Sequence, residues 1–104
     1  FKENVSDIRN SKVADVVKEL KAFSLNVDVT DPYADSADLK HEYGFELAPS
    51  LSRDYDAVII TVPHNDYKKF DDAYFASITK PHAIIADLKG IYRSKISSRK
   101  YWSL

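Results

Sequence analysis

The sequence predicts an α/β domain: a mainly parallel sheet with helices on both faces, in three α/β/α layers. One segment carries apolar residues at helical spacing, two later runs are apolar at nearly every position, and the connections between such segments are short. Continuous apolar runs are the mark of parallel strands covered on both faces. The 104 residues, 44% hydrophobic and 30% charged, suit a single domain over 1–104. A chain of that size buries roughly two-thirds of its unfolded surface, enough for a core without staples.

Residues 1–10 show neither helical nor strand periodicity and read as a polar loop feeding a helix. Ser11 is a suitable N-cap, because its hydroxyl can accept one of the orphan N–H groups of a first turn. Val13, Val16, Val17, Leu20 and Phe23 then recur three or four apart while Lys12, Asp15, Lys18, Glu19 and Lys21 fill the opposite side, predicting an amphipathic helix. Leu25 to Thr30 alternates β-branched residues and ends at Asp31-Pro32, predicting a strand and a turn. Ser36 to Tyr43 reads as a short helix stopped by Gly44, and Phe45-Glu46-Leu47 as a small strand. Ala57 to Val62 is the clearest strand, Asp71 to Ile78 a weak helix, and Ala83 to Ala86 a further buried strand closing at Asp87-Leu88-Lys89-Gly90. Past Tyr92 the chain reads as a polar, basic tail with an apolar finish at Tyr101 to Leu104.

A unit of this kind normally begins with a buried strand, and here the opening loop comes first. With no Met and Phe at position 1, the sequence reads as a piece of a longer one. The first strand of the full domain is therefore expected upstream.

Zero Cys excludes a disulfide framework, thiolate zinc or iron–sulfur sites and a cysteine nucleophile within these residues. A formal net charge of -1 gives no global field for nucleic acid or anionic membrane, and the apolar runs are far too short for a spanning helix. A cytoplasmic location, without nucleic acid or membrane as partner, is the expectation. His41, His64 and His82 are too scattered for a metal site, so none is expected. His64 alone follows a strand, where bonding to a neighbouring loop is the plainer role. With only Gly44 and Gly90 present, no glycine-rich cradle for a dinucleotide exists.

In open parallel sheets, ligands sit outside the carboxyl ends of strands. Four loops qualify: residues 1–10, Asp31-Pro32-Tyr33, Pro63-His64-Asn65 and Asp87-Leu88-Lys89-Gly90. Between them they offer Lys2, Lys89 and, at a helix entrance, Arg9 as anion binders. The plain alternative pairs Arg9 with Asp7 and leaves the lysines solvated. The Arg93, Lys95, Arg99, Lys100 run lacks interleaved aromatics and reads as a solvated tail.

The opening Phe1-Lys2-Glu3-Asn4-Val5-Ser6-Asp7-Ile8-Arg9-Asn10-Ser11 fits an F-K-x-[ND]-x-x-D-x-R-x-S pattern. With Asp31-Pro32-Tyr33, the Asp56 to Ile60 strand, His64, Asp87-Leu88-Lys89-Gly90-Ile91-Tyr92 and the aromatic ending, it resembles the C-terminal UDP-binding domain of the UDP-glucose/GDP-mannose (nucleotide-sugar 6-) dehydrogenase family. The D-x-K-G form of the late motif is most similar to the UDP-N-acetylhexosamine branch, with glucosamine, galactosamine or mannosamine as the sugar. The resemblance implies a Rossmann-like fold and a part in an NAD-dependent oxidation of a sugar C6 alcohol, through an aldehyde, to a carboxylate for polysaccharide biosynthesis. It implies that NAD is bound mainly by a separate N-terminal domain, that a central region supplies the catalytic cysteine, and that the full-length enzyme is a homo-oligomer. Carried over, Phe1, Lys2 and Lys89 contact the UDP-sugar and Arg9 reaches toward the cofactor, with no catalytic residue in this chain. Two other classes compete: a stand-alone Rossmann-like nucleotide-binding regulatory module without turnover, and a receiver-type signalling domain using Asp31, Asp87 and Lys89. The second lacks the paired acids expected at a first strand end.

Overall fold

The computed structural model describes residues 2–8 and 11–104. The chain forms two compact units, Phe1–Ser50 and Leu51–Leu104.

The first unit is helical. Helix α1 spans Lys12–Ala22, and the Ser11 hydroxyl accepts from Val13 N as its N-cap. Helix α2 spans Ser36–Tyr43, with the Asp35 carboxylate accepting from Asp38 N. Gly44 ends it in the left-handed region at φ 82°, its N–H returning to the Lys40 carbonyl, a conformation that costs a residue with a Cβ energy. Ile8, Ala14, Val17, Leu39 and Phe45 form the core, joined by the half-buried Val27, Val29 and Leu47. The strands expected at 25–30 and 45–47 are not present as strands. These segments run past one another, joined by a backbone bond from Ala48 N to Val29 O at 2.8 Å. Alternation made them legible as extended chain, but a strand needs a ladder of partners.

The second unit holds a three-stranded parallel sheet in the order β1-β2-β3, with β1 at Tyr55–Ile60, β2 at Thr79–Asp87 and β3 at Lys100–Ser103. Between β1 and β2 lie a 3-10 turn at Asn65–Lys69 and helix α3 at Asp72–Ile78, capped by Asp71. The clearest predicted strand thus starts two residues earlier and stops at Ile60. The register jumps from Tyr55↔Thr79 to Ala57↔Ile84, so Pro81, which has no N–H for the ladder, sits in the central strand where pairing is interrupted.

Burial on both faces, as expected for these strands, does not hold. Val58, Ile60, Ile85 and Tyr101 share one face and pack with Phe75 and Tyr92. On the other face Ile59, Ile84 and Trp102 remain 41%, 43% and 49% exposed. The basic tail also departs from expectation. Arg99 is anchored, its Nε donating to Thr79 Oγ1 at 2.9 Å and its Nη2 to the Ala76 and Thr79 carbonyls. Arg93 donates to Ser103 Oγ and to the Leu104 carbonyl. Arginine's planar fork can satisfy several backbone acceptors at once, which composition alone did not reveal.

The turn before β3 is pinned by Asp72, whose carboxylate accepts from the N–H and hydroxyl of both Ser97 and Ser98. Those bonds, the Ser98 hydroxyl foremost, hold its pKa at about 2, below the usual 3.8. A carboxylate with a depressed folded pKa contributes stability above its unfolded pKa and loses it as pH falls toward the folded value. The chain should therefore lose melting temperature between about pH 4 and pH 2, and Asp72→Asn should flatten that part of the profile. Superimposable acid limbs for the two proteins would remove Asp72 as the cause.

Candidate functional site

The opening motif is built around Asp7. Lys2 donates from its backbone N to the Asp7 carbonyl at 3.2 Å, and its Nζ lies 3.1 Å from Asp7 Oδ2. Asn4 turns the loop at φ 58°, a conformation asparagine and aspartate tolerate better than other side chains. That is a physical reason for the [ND] position of the motif. Ile8 plugs the loop into the first core at 7% exposure.

Tyr43, the last residue of α2, then fixes the chain on both sides of positions 9 and 10. Its hydroxyl donates to the Ile8 carbonyl and accepts from Ser11 N at 3.2 Å. Phe1 and Arg9, expected at the substrate and the cofactor, lie outside the described residues. A groove of about 460 Å³ beside the loop is lined by Asp7, Asp38 and Glu42 among others, and three carboxyl groups make it a poor seat for an anion. Asp31 closes its own turn, its Oδ1 accepting from Tyr33 N and Ala34 N at 2.9 Å.

Two of the four expected loops follow a described strand, those after β1 and β2. His64 is fully buried beyond β1, set edge-on to Tyr67 with ring centroids 5.3 Å apart. Its backbone N donates to the Val62 carbonyl and its own carbonyl accepts from Tyr67 N, each at 3.0 Å. These backbone bonds close the turn at residues 62–67.

Lys89 stands on the turn that leaves β2, the central strand. Gly90 N donates to the Asp87 carbonyl at 3.2 Å and Leu88 N to the Ile60 carbonyl at 3.0 Å, so the turn is tied to the carboxyl ends of β1 and β2. Lys89 is exposed, and its side chain has no ion pair or hydrogen bond among the described residues. Gly90 adopts φ 70°, and a Cβ there would meet the Arg93 guanidinium at 2.6 Å. Asp87 is fully buried, its Oδ2 accepting from Tyr92 N at 2.8 Å and from Tyr101 Oη at 2.5 Å. Burial, with the Asp87 carboxyl beside it, pushes the Tyr101 hydroxyl up, keeping it a donor.

Among the described residues, Lys2 thus lies in a carboxylate-closed loop of the first unit and Lys89 stands unpaired on a strand-end turn of the second. An unpaired lysine outside the carboxyl end of a parallel strand can receive a phosphate without first breaking an ion pair. Sequence reasoning missed Tyr43, Arg93 and Tyr101, whose partners are 35, 11 and 14 residues distant in sequence. A strand ending in a lone acid was the available signal. The glycines Gly44 and Gly90 end a helix and shape a turn. Neither opens a helix after a strand, so they do not form a glycine-rich dinucleotide cradle.

A parallel α/β unit with a cationic turn outside its central strand belongs to the class of open-sheet domains whose ligands sit at the carboxyl ends of the strands. The UDP-binding domain of the UDP-glucose/GDP-mannose dehydrogenase family matches residues 1–94, and the chain belongs to that family. It is 39% identical over 90 residues to the UDP-N-acetyl-D-glucosamine 6-dehydrogenase of Salmonella typhi, and 38% over 90 residues to the protein of the same name from Pseudomonas aeruginosa. Each alignment takes in 86% of this chain and 21% of the relative. Protein CapL of Staphylococcus aureus is 37% identical over 107 residues, taking in 100% of this chain and 25% of CapL. The chain therefore spans about a fifth to a quarter of the length of these relatives.

Proposed function

We propose that these residues are the UDP-sugar-binding domain of an NAD-dependent UDP-N-acetylhexosamine 6-dehydrogenase, which oxidises a C6 alcohol to a carboxylate and yields a UDP-uronic acid for polysaccharide biosynthesis. The unpaired Lys89 on the turn leaving β2 carries this reading. Its ammonium has no competing partner among the described residues, and a diphosphate supplies acceptor oxygens with negative charge. Lys2 is the second proposed contact, with Phe1 beside it in the motif, and Arg9 the proposed contact to the cofactor. In this reading the domain supplies affinity and orientation for the substrate. NAD, the hydride acceptor, and the cysteine chemistry belong to other domains of a cytoplasmic, oligomeric bacterial enzyme.

Calorimetric titration of the chain with UDP, against uridine as the uncharged control, tests the binding role. Saturable heat with UDP and none with uridine is expected. NADH production from UDP-N-acetylglucosamine and NAD by these 104 residues alone should stay at background, since they hold neither a thiol nor a glycine cradle. Equal binding of uridine and UDP would overturn the diphosphate contact, and turnover by the chain would overturn the division of roles.

A further inference from the structure

Among the described residues, Asp87 is the only carboxyl group with no exposure, and its Oδ1 is buried without a hydrogen-bond partner. Taking a carboxyl out of water is costly even when one oxygen is well bonded. An apolar residue of similar size would fill this end of β2 at less cost, so the group's value lies in what it holds.

It holds the Lys89 turn at two levels. The Asp87 carbonyl accepts from Gly90 N, and its Oδ2 accepts from Tyr92 N, which closes the chain on either side of residues 88–91. The same Oδ2 accepts from the Tyr101 hydroxyl on β3, so the turn is tied to a third strand as well. Arg93 adds a further tie, lying against Gly90 while its Nη2 bonds Ser103 Oγ and the Leu104 carbonyl at the end of β3. Every one of these bonds belongs to the frame around Lys89, and none reaches the lysine itself. A flexible ammonium side chain then begins from a fixed Cα, which removes the backbone share of the ordering cost when an anion binds.

We infer that Asp87 and Tyr101 are positioning residues for Lys89, holding the β2 turn so that its ammonium meets the diphosphate of a nucleoside-diphosphate sugar. The inference rests on the proposed contact between Lys89 and substrate, and its test separates the two.

The test uses the full-length dehydrogenase that carries this domain, with steady-state kinetics for UDP-N-acetylglucosamine and for NAD. Lys89→Ala should raise the sugar-nucleotide KM about ten- to a hundredfold, the range of a lost charge-assisted bond. Tyr101→Phe, which keeps the ring and removes one donor, should raise the same KM by about three- to tenfold and leave kcat and the NAD KM within about twofold. Asp87→Asn, which conserves size, carries the same expectation. Combined with Lys89→Ala, Tyr101→Phe should add nothing further, because a residue acting through the lysine has no route once the lysine is gone. Multiplying effects in the double variant would overturn the inference, as would an unchanged KM in Tyr101→Phe alongside a raised KM in Lys89→Ala, which leaves the substrate contact standing. No effect of Lys89→Ala would overturn the substrate contact itself and the positioning role with it.

Discussion

Tyr92→Ala is expected to cost the chain about 3–5 kcal/mol of stability, the range for truncating a buried aromatic. Tyr92 is 1% exposed and sets its ring against Phe75 with centroids 5.0 Å apart, in the core shared with Ile60 and Ile85. Its hydroxyl donates to the Tyr67 carbonyl at 2.5 Å, and burial pushes that hydroxyl far up, so it remains a donor through the alkaline range. Truncation removes the ring and this donor together. Against a typical domain stability of roughly 5–15 kcal/mol, such a loss is about a fifth of the total or more. Tyr92→Phe isolates the hydroxyl and should cost only about 1 kcal/mol. Urea midpoints of the three proteins measure both steps, and equal midpoints for Ala and Phe would show that the ring is not what the core depends on.

Tyr92 also shows where sequence reasoning reached and where it stopped. Helices α1 and α2 were legible because their signals are local: apolar spacing, a serine or aspartate cap, and a glycine at the end. The apolar runs that became β1 and β2 were legible as strands, and the parallel sheet followed from their alternation with helix α3. β3 was not, because Lys100-Tyr101-Trp102-Ser103 is short and its strand character comes from pairing with Ile84 to Asp87. The strands expected at 25–30 and 45–47 failed for the converse reason: alternation was present and a ladder was not.

The site divides in the same way. Lys2 and Lys89 could be chosen from sequence because cations in loops stand out, and the turn at Asp87 to Gly90 was visible as a strand end. The long-range bonds behind their loops were hidden. The Tyr43 hydroxyl bonds the Ile8 carbonyl and Tyr101 bonds Asp87 across 35 and 14 residues, and no periodicity encodes such distances. The plain alternative pairs Asp7 with Arg9, which lies outside the described residues; among the described residues Lys2 also pairs with Asp7, a contact that the sequence did not suggest.

That pairing sets the expected behaviour of Lys2. Its ion pair with Asp7 spans 3.1 Å between side chains 55% and 23% exposed, and exposed pairs are worth only about 0–1 kcal/mol. A charge-assisted bond to a diphosphate or sugar oxygen is worth about 1.5–3 kcal/mol. On the proposed contact the exchange favours the ligand, with Asp7 holding Lys2 on the loop in its absence. In the full-length enzyme, Lys2→Ala should raise the sugar-nucleotide KM roughly ten- to a hundredfold while moving the NAD KM little. Arg9→Ala should do the reverse, raising the NAD KM more than that of the sugar nucleotide, as proposed for a residue reaching toward the cofactor. The two variants measured side by side give a cross-over of specificities. Equal shifts in both constants for both variants would instead mark the opening loop as a structural element, with Lys2 serving Asp7 and not the substrate.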